Sequence, residues 1–476
     1  MDKYKTIMDL QQAMDNEEIT AKELSMYYLQ RIANYDKSGP IINSVIEINP
    51  EALHIAEALD MERKRIGKRG PLHGIPILIK DNIDTADKMH TSAGSLALAN
   101  HYATKDSFVV KKLREAGAVI LGKTNLTEWA NFMTEGMPNG YSSRGGQVLN
   151  PYGPGVFDVG GSSSGSSAAV ASDFATGAIG TETSGSILSP ASSNSLVGIK
   201  PTVGLISRTG IIPISNSQDT AGPITTNVTD AAILLGALTG VDNEDSATNL
   251  SIGTSLTDYT MYLNKQRLSD VRIGIDKSYF AELSADEQLV VNQAISDLQA
   301  HGATIIDTIT VGEEPADFNV LFHEFKSGVN AYLAGASDIE VRSLRDVIAY
   351  NKLHPAQALR YGQVLLEESD QKSGTLTEPE YIFARLEDIK KCQAEGIDFV
   401  MKQHQLDALL FANNYGAGIA AKAGYPSITV PAGYTEAGLP VGITFTGTAF
   451  TEPILIELAY SYEQATNHRE EPNFKQ

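Results

Sequence analysis

Three side chains are placed where they could do chemistry. Lys80 closes the apolar run Ile77-Leu78-Ile79, Ser162 follows the pair Gly160-Gly161, and Ser186 follows Gly185. A serine hydroxyl is inert near neutral pH until a base takes its proton. Histidine is the usual base, but a lysine stripped of water by burial can also serve. The run before Lys80 reads as a core strand, which would give its amine apolar surroundings. Alone, such a lysine more often snorkels to the surface where its strand stops. Two serine-rich segments change that balance: GGSSSGSSAAVA over 160–171 and GTETSGSILSPAS over 180–192. Together the three suggest acyl transfer. Acyl transfer needs a nucleophile, a base, an acid for the departing group and donors for the developing oxyanion.

The elements that must hold these residues are legible in outline. Residues 1–66 read as helical. Thr20 and Glu23 form a capping-box pattern ahead of the apolar face Leu24, Tyr28, Ile32 and Tyr35, and Asn49-Pro50-Glu51 is a second start signal. Short apolar runs at 75–79, 118–121, 272–275, 303–306, 407–411 and 426–430 alternate with helical patterns such as 106–116. That alternation predicts an α/β fold, a single large domain with a central mixed, twisted β-sheet covered by helices on both faces. Residues 150–225 are rich in Gly, Ser and Thr, yet Ala168, Val170, Leu196 and Ile199 recur within them, so the segment reads as packed turns and not as a linker. Residues 315–400 read as a helical insertion carrying Phe318, Phe322, Phe325, Tyr332, Tyr350, Tyr361 and Tyr381.

Two motifs compete with this reading. Gly117–Thr124 matches the phosphate-binding pattern G-x-x-x-x-G-K-T, but its four intervening residues are themselves strand-like and a helix precedes them, the reverse of the required order. Gly161–Gly165 matches G-x-S-x-G, which would make Ser163 the nucleophile, with His301, His323, His354, His404 or His468 downstream as base. A run of small residues meets that pattern easily. The one cysteine, Cys392, sits in a charged helical pattern with no histidine near in sequence and reads as a bystander.

The order Lys80, Ser162, Ser186, with the serines 24 positions apart, resembles the amidase signature family. GKTNLTEWANF from Gly122, SSRGGQVLNPYGP from Ser142, GIKPTVGLISRTGIIPISNSQDTAGP from Gly198 and AGYPSITVPAG from Ala423 extend the resemblance over most of the chain. It implies that Ser186 is the nucleophile, Ser162 a proton-relaying serine and Lys80 the base. It also implies an oxyanion hole from the N–H groups of Thr183, Ser184, Gly185 and Ser186. Where many members read Gly-Gly-Ser-Ile-Arg, this chain has Ser184 for the first glycine and Leu188 for the arginine. The insertion, with FHEFKSGVNAYL and RYGQ, looks most like the peptide amidase branch, which deamidates C-terminal peptide amides, and would lie over the serines. Asp219, Thr220, Phe322, Phe325 and Tyr332 are candidate substrate contacts.

The expectation is a free-standing amidase for a peptide C-terminal amide or a small aliphatic or aryl amide, with no metal or organic cofactor. The alternative within the family is the glutaminase subunit of a glutamyl-tRNA amidotransferase. A non-catalytic binding protein is disfavoured because all three catalytic positions are filled. A formal charge of −21 repels phosphate backbones, so no nucleic-acid partner is expected. No apolar run is long enough for a membrane span and the N-terminus lacks a secretory leader, which reads as a soluble, cytoplasmic protein, monomeric or homodimeric.

Overall fold

The computed structural model describes residues 6–312, 314–336 and 339–474. Its centre is a sheet of eleven strands: β1 Val45–Ile48, β2 Pro76–Lys80, β3 Val119–Thr124, β4 Gly177–Glu182, β5 Val197–Lys200, β6 Thr220–Thr225, β7 Arg272–Gly274, β8 Thr304–Ile306, β9 Ala408–Ala412, β10 Ser427–Tyr434 and β11 Pro440–Thr446. They lie in the order β1-β3-β2-β4-β6-β5-β10-β11-β9-β7-β8. The pairs β3/β2, β2/β4, β9/β7 and β7/β8 run parallel and the rest antiparallel, so the sheet is mixed as the alternating pattern predicts. Each short apolar run became a strand. Strands β2, β3 and β4 are buried at every position; β2 and β3 therefore read as continuous apolar runs, whereas β4, GAIGTE, is built of small and polar residues and lies hidden in the segment 150–225 that reads as packed turns.

The helical reading of 1–66 needs one correction. The capping box at Thr20 and Glu23 starts helix α1 (Ala21–Arg31) as expected, and α2 (Ala52–Ile66) begins just past Pro50. Between them β1 joins the sheet edge, antiparallel to β3. Four residues with two isoleucines and one valine are too short to separate strand from helix by periodicity.

Two helices flank the serines. α3 (Ser164–Ala171) is small-residue throughout and buried along its whole length. Its Gly165 permits this: a Cβ there would collide with the carbonyl oxygens of Asn125 and Ser44. α4 (Leu188–Ser193) follows Ser186 directly. The segment 315–400 is dominantly helical, led by α5 (Asn319–Gly335). It packs through a second apolar cluster that includes Trp129, Phe132, Phe325, Val329 and Leu333, distinct from the main core around the sheet. Among the described residues no helix is long and apolar enough to cross a membrane.

Candidate active site

Strand β2 ends on Lys80, which is wholly buried beside its sheet neighbours β3 and β4. Its Nζ lies within hydrogen-bond distance of four oxygens: Ser162 Oγ at 2.9 Å, Ser163 Oγ at 2.9 Å, Thr181 Oγ1 at 2.9 Å and the Thr181 carbonyl at 3.2 Å. None of these four carries a charge. Burial lowers its pKa to about 7, against the pull of Glu182 and Asp219, whose negative charges favour the ammonium. A neutral amine is therefore available near neutral pH. The snorkelling alternative fails because the strand end points into protein.

Ser162 lies just before α3, after a cis Gly161–Ser162 peptide, and is buried. Ser163 occupies the N-cap position of α3. Its hydroxyl donates to the Thr181 carbonyl at 3.1 Å, and its N–H donates to the Ser186 carbonyl at 3.0 Å. β4 brings Thr181 and Glu182 alongside β2, and the turn Thr183–Ser186 leaves its end. Gly185 sits at φ +78°, a conformation glycine adopts without strain, and this turns the chain sharply into Ser186. Ser186 keeps 7 % of its surface exposed while Ser162 and Ser163 keep none. The Ser186 and Ser162 hydroxyls are not hydrogen-bonded to each other among the described residues.

The turn Thr183–Ser186 differs in one detail from the oxyanion hole that the family resemblance implies. The N–H of Gly185 donates to Glu182 Oε1 at 2.8 Å, so it is turned into the protein. The N–H groups of Thr183, Ser184 and Ser186 have no protein partner among the described residues. Glu182, which the sequence reading passed over, also accepts from the N–H groups of Ile187 at 2.7 Å and Leu188 at 3.0 Å. One buried carboxylate thus gathers three amides and fixes the turn around Ser186. Burial raises its pKa, and the three N–H bonds oppose that rise. A lone acidic residue ending a buried strand was the signal available in the sequence.

Asp219 supports the same turn from the other side. It accepts from Thr183 Oγ1 at 2.5 Å and from the N–H groups of Ile214 and Ser215 at 2.8 Å each. Burial raises its pKa to about 6. Asp219, Thr220 and Tyr332 line a cavity of about 200 Å³ with Asn82, Thr181, Thr183, Ala130, Ile212 and Gly328. Phe325 is not part of this wall: it is fully buried against Trp129 and Phe132. Phe322 packs beside Phe132 in the same cluster. On a helix, aromatic spacing alone cannot tell a pocket wall from a core stripe. Tyr332 donates its hydroxyl to Asp84 Oδ1 at 2.7 Å and sits 3.0 Å from His101 Nε2. Leu188 is buried completely.

The competing motifs resolve on geometry. Lys123 of the phosphate-loop pattern is inside β3, buried, donating to the Ile83 and His90 carbonyls and to Thr91 Oγ1. No loop is left to wrap a phosphate. Ser163 has no histidine partner among the described residues, so the elbow reading lacks a base. Cys392 is buried and its thiol pKa is pushed up to about 12, which makes it a poor nucleophile. The described residues hold no cluster suited to a metal ion.

The mixed sheet thus brings the buried Lys80, the buried Ser162 and Ser163 and the more exposed Ser186 into one region, an arrangement suited to serine-based acyl transfer. A family model described as Amidase matches residues 23–412, and the chain belongs to the amidase signature family. It is similar to the native peptide amidase from Stenotrophomonas maltophilia, 45 % identical with 99 % of each chain covered and a TM-score of 0.92. It is 41 % identical to a probable amidase from Arabidopsis thaliana, over 98 % of this chain and 91 % of the relative. It is also 32 % identical to a glutamyl-tRNA(Gln) amidotransferase subunit from Gloeothece citriformis, over 99 % and 100 % of the two chains. The protein is an amidohydrolase acting on amides.

Proposed function

We propose that the protein hydrolyses the C–N bond of a peptide C-terminal amide or a small aliphatic or aryl amide through a covalent acyl-Ser186 intermediate. The observation that carries this reading is the buried, neutral-prone Lys80 amine 2.9 Å from Ser162 Oγ. In the proposed cycle Ser162 gives its proton to Lys80 as it takes one from Ser186. Ser186 Oγ attacks the amide carbon, and the N–H groups of Thr183, Ser184 and Ser186 hold the oxyanion. Collapse expels the amine, which leaves with a proton from Ser162, itself resupplied by Lys80. Water then attacks the acyl ester by the same relay. The Ser162–Ser186 hydrogen bond forms when substrate seats, since such bonds are often open in the free enzyme.

Similarity to the peptide amidase over 99 % of both chains supports the peptide-amide substrate class. The full-length similarity to an amidotransferase subunit supports the second reading, a glutaminase that feeds ammonia to partner subunits. Leu188 in place of arginine weighs against it, because the turn then offers no fixed cation for a free amino acid's carboxylate. The test is a panel of capped peptide amides, aliphatic amides, aryl acylamides and free glutamine given to the isolated chain. Turnover of peptide amides upholds the first reading. Activity on glutamine alone, or only with partner subunits added, moves the assignment to the second.

A further inference from the structure

Asn82 lies two residues beyond Lys80 and is 1 % exposed. Its Nδ2 donates to Thr181 Oγ1 at 3.1 Å and to the Ile212 carbonyl at 3.4 Å. A carbonyl oxygen only accepts, so the Ile212 bond fixes which end of the carboxamide faces Thr181. The Asn82 main-chain carbonyl accepts from the Ile212 N–H at 2.8 Å and locks the pair together. Asn82 Oδ1 is buried without a partner, so the side chain keeps this orientation at the cost of an unsatisfied acceptor. A residue present only to fill space would not carry that cost.

Thr181 Oγ1 is also one of the oxygens that Lys80 Nζ touches. Ser163 Oγ spends its own proton on the Thr181 carbonyl, so it turns a lone pair to Lys80. A neutral amine has two hydrogens and one lone pair. With Ser163 Oγ and the two Thr181 oxygens available as acceptors, the hydrogens are placed and the lone pair is left for the Ser162 proton. Donation from Asn82 draws electron density from Thr181 Oγ1 and makes it a weaker partner for an ammonium.

We propose that Asn82 is a positioning residue of the amide-hydrolysing reaction: acting through Thr181 Oγ1, its Nδ2 group orders the hydrogen bonds around Lys80 so that the amine accepts a proton from Ser162. This rests on the reading of Lys80 as the base. The charged groups facing Lys80 are Glu182 at the end of β4 and Asp219 just before β6, both of which favour the ammonium. Asp81, its chain neighbour, is committed to Ser92, the Gly94 N–H and Arg144. The donor end of Asn82 works against the two carboxylates.

The experiment is kcat and KM against pH on a capped peptide amide for the full chain and for Asn82→Asp, Asn82→Ala, Thr181→Val, the Asn82→Ala/Thr181→Val double variant and Lys80→Ala, each with a thermal melt. Asn82→Asp is nearly isosteric and brings a negative charge toward Lys80, so the acid limb of kcat/KM moves up by at least about one pH unit. Asn82→Ala lowers kcat by roughly tenfold or more with KM little changed, and that loss shrinks to less than about threefold when Thr181→Val is already present. A folded Asn82→Asp enzyme with an unmoved limb, or an Asn82→Ala enzyme altered only in KM, overturns the proposal. Activity surviving in Lys80→Ala overturns the base reading and this proposal with it. An inactive Lys80→Ala beside an unmoved Asn82→Asp limb overturns the role of Asn82 alone.

Discussion

The N–H of Ser163 donates to the carbonyl of Ser186 at 3.0 Å, tying the loop that carries Ser162 to the turn that carries Ser186 through main chain alone. The same residue's hydroxyl touches Lys80 at 2.9 Å. Ser163 is therefore a joint between all three proposed catalytic positions without being one of them. Since the tie is a backbone bond, Ser163→Ala keeps it. The variant should fold and lose less activity than Ser162→Ala, by about tenfold or more, when the two are compared in kcat.

Ser186→Ala should lower kcat by at least about 10³-fold, because no acyl-enzyme can form. A serine-directed sulfonyl fluoride should modify Ser186, read by mass spectrometry of the peptide spanning residues 177–200. An adduct on Ser163 would restore the elbow reading.

Lys80 must be neutral to accept a proton, and burial lowers its pKa to about 7. Below that value the amine is protonated and blocked; above it the base is free. Activity should therefore rise with pH through a limb near 7. Lys80→Arg holds its charge at any working pH, so it should be as inactive as Lys80→Ala. Near-normal turnover by Lys80→Arg would remove lysine from the mechanism. Replacing the histidines by alanine one at a time should leave the chemistry largely intact.

Glu182→Gln keeps the shape of a side chain that holds three amides but leaves one acceptor oxygen in place of two. The oxyanion donors lose their alignment, and kcat should fall by about 10²-fold. Removing the carboxylate also removes a charge that favours the Lys80 ammonium, so the acid limb should move to lower pH. A limb that moves up instead would show that the carboxylate does not act on Lys80.

The cavity beside Thr183 is walled in part by Ile211, Ile212, Pro213 and Ala130, and its two charged lining residues already have partners, Arg208 the Asp245 carboxylate and Asp219 the Thr183 hydroxyl and two main-chain N–H groups. Burying the unpaired carboxylate and ammonium of free glutamine there would cost several kcal/mol. In direct competition a capped peptide amide should be preferred by ~10²-fold or more in kcat/KM. Preferential turnover of glutamine would contradict this.

Phe325→Ala separates core from pocket. Phe325 is fully buried between Trp129 and Phe132, so truncation should cost about 3–5 kcal/mol in denaturant unfolding and leave KM near its starting value. A raised KM with unchanged stability would return Phe325 to the substrate wall.

The sequence alone determined six of the eleven strands of the sheet and offered Lys80, Ser162 and Ser186 as candidate reacting positions, while the strands within 150–225 read only as packed turns. Strands such as Pro76–Lys80 are buried on both faces and so appear as apolar runs bounded by charge or glycine. Lys80, Ser162 and Ser186 are legible because their residue types, order and spacing resemble the family's motif, and those persist in one dimension. β1 was missed because a four-residue strand gains its identity only by pairing with β3, more than seventy residues away. Tertiary structure alone decided which polar groups serve the site. Glu182 faces inward to three amides, Asn82 reaches Thr181, and Gly185 turns its N–H to Glu182. Each depends on the direction of a side chain or amide at a turn, which no residue spacing encodes. Phe325 and Tyr332 share one helix and one aromatic pattern. Only the surface that packs against that helix made the first a core residue and the second a cavity wall.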